Sequence, residues 1–170
     1  WMGRAHAMIG QPGRGRELLE ESSALAAKIG TKFWVAWQKT AHAACLGMLG
    51  ELVTGIRLCQ EAIFLGEETN DQYVVAFANR SLAEILSRLQ PSDHEEADRA
   101  ILQAIRIQQE IDVEPELARS YVSYSHVLTG RGEKEKAKEY LVKAIGMFQQ
   151  LGMTWYLAQA DQLLQTLTFS

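Results

Sequence analysis

Gly50-Glu51-Leu52-Val53-Thr54-Gly55-Ile56-Arg57-Leu58-Cys59-Gln60-Glu61-Ala62-Ile63 decides the fold, because two later stretches repeat its spacing of small and apolar residues. Counting 4, 7 and 8 onward from Gly55 gives Cys59, Ala62 and Ile63; from Ala97, Ile101, Ala104 and Ile105; from Ala137, Leu141, Ala144 and Ile145. Those offsets put every member of a set on one stripe of an α-helix. Counting 14 further from Ala62, Ala104 and Ala144 reaches Ala76, Ala118 and Ala158, and 14 back from Ala36 reaches Ser22. Seven residues after Ala36, Ala76 and Ala118 stand Ala43, Ala83 and Ser125, with Leu46, Leu86 and Leu128 three beyond. A small residue recurring where two helices cross is a packing requirement repeated along the chain.

The turns recur too. Gly10, Gly50 and Gly132 each lie five residues before Gly15, Gly55 and Ala137, and glycine closes a helix in the left-handed conformation without steric penalty. In the middle unit the turn is Leu89-Gln90-Pro91-Ser92-Asp93, two residues longer, where Pro91 stops one helix and Ser92 with Glu95 resembles a capping box. From Gly15 through Gly55 and Ala97 to Ala137 the unit lengths are 40, 42 and 40 residues. The pattern predicts nine antiparallel helices, at about 1–9, 14–29, 32–47, 51–69, 71–89, 93–112, 115–130, 133–151 and 154–168. Sustained alternation is absent, so no strand is expected.

Composition fits an ordered helical chain: 47% of the 170 residues are hydrophobic and 22% charged. The net charge of -4 comes from interspersed charges, and pairs such as Arg14 and Arg16 are too sparse to neutralise a run of phosphates, which argues against nucleic acid. No apolar run nears the roughly 20 residues that cross a bilayer, and no signal-peptide pattern opens the chain, so a cytoplasmic setting without membrane partners is expected. Cys45 and Cys59 stand among apolar neighbours and read as reduced, structural residues. With three prolines and scattered glycines, residues 1–170 read as one repeat domain. It opens at Trp1 in mid-helix, as a piece of a longer polypeptide whose first repeat is cut.

These columns resemble the tetratricopeptide family, whose helix pairs carry small residues at the crossings and a glycine in the turn. Gly3, Ala43, Ala83 and Ser125, then Gly55, Ala97 and Ala137, then Ala62, Ala104 and Ala144 stand where that family places its small residues. The family's usual unit is shorter, and these helices are extended. Phrases such as Gly50-Glu-Leu-Val-Thr-Gly-Ile-Arg and the run from Leu141 to Gly152 are also similar to the C-terminal tails of bacterial adenylate/guanylate cyclase-like signalling proteins and of large ATP-dependent transcriptional activators. The resemblance implies an all-α superhelical solenoid that scaffolds protein contacts within a larger signalling protein. The alternative it carries is a ligand-sensing regulatory tail.

Motifs for chemistry are missing. His6, His42, His94 and His126 stand singly, without a second ligand type at helical spacing, so no metal is expected. Gly10-Gln-Pro-Gly-Arg-Gly15 lacks the Lys-Ser/Thr ending of a nucleotide loop and follows a helix instead of a strand. No nucleophile is accompanied by a recognisable base and orienting group. Neither a cofactor nor enzymatic activity is expected of this segment. Asn79-Arg80-Ser81 matches a glycosylation acceptor but falls in a helix, and Glu133 to Glu139 reads as a solvated helix face.

Aromatic residues are the remaining signal: Trp34, Trp37, Phe77, Tyr121, Tyr124 and Tyr156 all fall in first helices of the pairs, where core packing is their common role. The resemblance implies that first helices line a concave groove. Carrying its groove-facing places onto this chain gives Trp37, Thr40 and Ala44; Phe77, Arg80, Glu84 and Arg88; Arg119, Val122 and His126; and Gln159 and Gln162. Guanidinium groups bind carboxylates bidentately and aromatics supply desolvated anchors. The expected partner is thus a peptide or protein segment, acidic or ending in a free carboxylate. On this reading, replacing Arg80 and Arg119 together by alanine abolishes capture without changing the melt, and the cut first repeat offers a face for a homodimer.

Overall fold

The computed structural model describes residues 2–89 and 94–169. These form nine helices: α1 (Met2–Met8), α2 (Pro12–Ile29), α3 (Lys32–Leu49), α4 (Leu52–Glu68), α5 (Gln72–Leu86), α6 (His94–Glu110), α7 (Glu114–Gly130), α8 (Lys134–Gln150) and α9 (Thr154–Phe169). No strand occurs among the described residues. The expected helices are all present, with ends moved by a few residues. α2 opens earlier than the spacing suggested because Pro12 occupies its first turn, where no N–H is needed. α5 stops at Leu86, short of the expected 89. Pro91 and the Ser92 half of the expected capping box lie outside the described residues.

Two sets of turns join the helices. Gly10, Gly50 and Gly132 have φ of 82°, 82° and 79°, the left-handed conformation their spacing required. A second set, one per unit, is Gly30, Asn70, Asp112 and Gly152, all at positive φ. Asn and Asp tolerate that region better than other side chains.

Crossings between helices are made by the small columns. Ala43, Ala62, Ala83, Ala97, Ala104, Ser125, Ala137 and Ala144 are fully buried. At Gly47 an added Cβ would stand 2.7 Å from Ile85 Cγ1, and one at Gly55 would stand 2.9 Å from Ile85 Cδ1. Ile85 of α5 is thereby wedged against α3 and α4. Ala36, Ala76 and Ala118 are buried as expected, but Ala158 is exposed. On α9 it is Ala160 that joins Ala118, Ala144 and Phe148 in a core cluster.

Each helix packs on the next in sequence, and the first helices α1, α3, α5 and α7 also touch one another in succession. The second helices of successive pairs stay farther apart, so the stack curves with its first helices on the inner side. Apolar residues of α3 through α9 join in the main core, from Ala43 and Leu46 through Ile85 and Ile101 to Leu141 and Leu167. Such a stack is held by each unit's contacts with its neighbours.

Candidate functional site

A groove of about 800 Å³ opens on the inner side, walled by α5, α7 and α9. Arg80, Glu84 and Arg88 come from α5, Arg119, Val122 and His126 from α7, and Gln159 and Gln162 from α9. One helical turn separates Arg80, Glu84 and Arg88, so they lie in a row. The sequence register brings these eight together. It missed Phe148, which reaches the groove from second helix α8, and Met48, the repeat counterpart of Arg88 on α3.

Trp37, Thr40, Phe77 and Ala44 do not line the groove. Thr40 is fully buried and its hydroxyl donates to the Ala36 carbonyl at 3.0 Å. Trp37 stacks on Tyr73 at 5.0 Å between ring centroids, with Phe77 at 6.3 Å, and its Nε1 donates to Asp71 at 3.2 Å. Neighbouring first helices approach so closely there that the side chains fill the gap themselves. The aromatic anchors of the groove are instead Phe148 and Tyr156, stacked at 5.5 Å, with the Arg119 guanidinium 5.3 Å from the Tyr156 ring centre.

Arg80 corrects the sequence expectation most. Only 1% of it is exposed, and its Nη1 donates to the Glu116 carboxylate at 2.6 Å and to the Glu116 carbonyl at 3.3 Å. Its Nε lies 3.8 Å from Glu84, and its guanidinium 5.1 Å from the centre of the Phe77 ring. Glu116 also accepts from Arg119 at 2.8 Å, and Glu84 accepts from the Ser123 hydroxyl at 2.5 Å. Arg80 therefore ties α5 to α7, and removing it would disturb the melt that the sequence reading took as unaffected. Its Nη2, buried in the groove wall, has no hydrogen-bond partner. Arg88 is exposed, donates to the Gly47 carbonyl at 2.7 Å and has no carboxylate partner among the described residues.

Two imidazoles resist protonation. Burial holds His42 below its ordinary value of 6.5, against an opposing pull from Glu20, and its Nε2 is buried without a partner. Burial likewise lowers His126, with Glu84 raising and Arg88 lowering it further. The unfolded chain then binds more protons than the folded one once the pH drops past about 6.5. Stability should hold above that pH and decline below it until the folded-state values are passed. Melting temperatures from pH 7.5 to 5 check this, and His42→Gln should flatten the decline.

Burial pushes the Cys59 thiol far above its usual range, so it is not a thiolate nucleophile. Among the described residues no three His, Cys, Asp or Glu side chains are grouped to hold a metal ion, and no helix is long and apolar enough to cross a membrane.

No protein-family model and no curated sequence matches the chain. Solved structures do. A Podosopora anserina protein named as a kinesin light chain, with nearly identical TPR-like repeats, superposes with a TM-score of 0.65 at 15% identity, over 98% of this chain and 92% of that one. A variant of the same protein gives a TM-score of 0.64 at 15% identity, over 98% and 91%. The fold is a TPR-like repeat array. The groove spans the three successive first helices α5, α7 and α9, and the row Arg80, Glu84, Arg88 runs along the first of them.

Proposed function

We propose that the chain is a protein-interaction module whose inner groove holds an acidic segment of another polypeptide. The observation that carries this is the state of the groove's cations: three guanidinium groups face two carboxylates, Glu84 and Glu116, and among the described residues Arg88 and the Arg80 Nη2 have no carboxylate partner. A carboxylate is the group that satisfies both a planar fork and an orphaned buried N–H. Phe148, Tyr156 and Val122 supply the apolar contact beside it. The walls of the groove mix polar and apolar side chains, which suits a chain segment.

Binding is tested with an Asp- and Glu-rich peptide bearing a free C-terminal carboxylate, against its Asn/Gln, amidated analogue. Arg88→Glu should weaken capture of the acidic peptide by about tenfold or more at low salt, as loss and reversal of an interface charge does. Its melt should fall by only a few degrees, because the side chain is exposed and gives up one hydrogen bond, to the Gly47 carbonyl. Equal binding of the neutral analogue, or full capture by Arg88→Glu, would rule out this reading.

A further inference from the structure

Charge alternates along the inner groove. At one end the guanidinium groups of Arg80 and Arg119 share the carboxylate of Glu116, at 2.6 Å and 2.8 Å, so two positive charges face one negative. One helical turn on stands Glu84, whose Oε1 accepts from the Ser123 hydroxyl and lies 3.8 Å from Arg80 Nε, and whose side chain is still 42% exposed. A further turn on stands Arg88, exposed and without a carboxylate partner among the described residues. His126, which faces Glu84 and Arg88, adds no charge at neutral pH because burial holds the imidazole below its ordinary value. The wall along α5 thus reads positive, negative, positive.

The spacing of these charges selects the conformation of what fits. Four residues of α-helix rise about 6 Å, so the three places step by that distance along α5. Two residues of extended chain rise about 6.6 Å and return to the same face. Residues i, i+2 and i+4 of an extended segment therefore fall opposite Arg80, Glu84 and Arg88 in turn. A helix about 10 Å across, laid over the same two turns, would fill roughly 950 Å³. The groove offers about 800 Å³.

Building on the reading of this groove as a seat for an acidic segment, we infer that the occupant is an extended stretch of a partner polypeptide with alternating charge: acidic at i, basic at i+2 and acidic at i+4. The basic side chain meets Glu84, and the two carboxylates meet Arg88 and the end that Arg80 and Arg119 share. A uniformly acidic segment binds less well, because its middle carboxylate is set against Glu84 and like charges brought together at an interface oppose binding.

Calorimetric titration at low salt compares four peptides, all capped at both ends. One reads Glu-Thr-Lys-Thr-Glu, the second is its rearrangement Lys-Thr-Glu-Thr-Glu at equal net charge, and the third is the uniform acid Glu-Thr-Glu-Thr-Glu. The fourth carries Glu, Lys and Glu at i, i+4 and i+8 of a stapled helix. The first should bind about tenfold tighter than each of the others, as the gain of one complementary charge contact does. Glu84→Gln, which can still accept from Ser123, should erase its advantage over the uniform acid. Equal or tighter binding of any other peptide by the parent chain overturns the alternating extended segment, and binding of the uniform acid then leaves the acidic-segment reading standing. Binding of none removes both.

Discussion

Arg80→Ala should lower the melting temperature by on the order of 10 °C. The substitution removes a guanidinium whose charge is taken up by Glu116 and Glu84, and leaves Glu116, itself mostly out of water, facing the hole. Breaking one partner of a buried pair costs about 3–5 kcal/mol, because the surviving charge keeps its desolvation penalty without compensation. For a domain of this size each kcal/mol corresponds to roughly 2–4 °C. Arg119, which also reaches Glu116, softens the loss without restoring the α5–α7 link. Arg80→Met with Glu116→Leu should recover part of the stability, since a buried pair replaced whole by apolar side chains is often tolerated. Thermal melts of the single and double variants check both statements, and an unchanged melt for Arg80→Ala would mean that the guanidinium is held in reserve for a ligand.

Gly47→Val should cost about 3 kcal/mol, the upper part of the range for overpacking a filled core. The Cβ alone would stand 2.7 Å from Ile85 Cγ1, the methylene next to the branched Cβ, which cannot swing aside as a chain end could. Replacing a helical glycine ordinarily gains up to about 1 kcal/mol in backbone entropy, so the steric conflict must overcome that gain. Ile85→Ala should partly rescue Gly47→Val although it is destabilising alone. The coupling between the two, read in a double-mutant cycle from denaturant melts, measures how tightly α3 and α5 nest.

Most of the fold was legible because the requirement for small residues at crossings is written at short, fixed spacings. Ala62, Ala104 and Ala144 announce the same contact in three places, and all three are fully buried. The turn set Gly30, Asn70, Asp112 and Gly152 was less visible because three residue types satisfy one backbone requirement there. Of the groove places that the resemblance implied, Glu84, Arg88, Arg119, Val122 and His126 line the inner groove. What register does not convey is which side chains neighbouring helices use up. Trp37 is stacked on Tyr73, and Arg80 is taken by Glu116, a residue 36 positions away with no local motif to announce it. Phe148 escaped for the opposite reason, since a second helix contributes to a surface that the resemblance assigns to first helices alone.

An inner groove exists only if the stack stays open and curved, with hairpins that lean only on their neighbours. Residue-resolved amide hydrogen exchange on Gly47→Val, compared with the parent chain, reads this most directly. Loss of protection confined to α3 through α6, with α8 and α9 exchanging as before, is the expected result. An equal loss across all described helices would show one cooperative bundle, and would contradict the stack on which the groove rests.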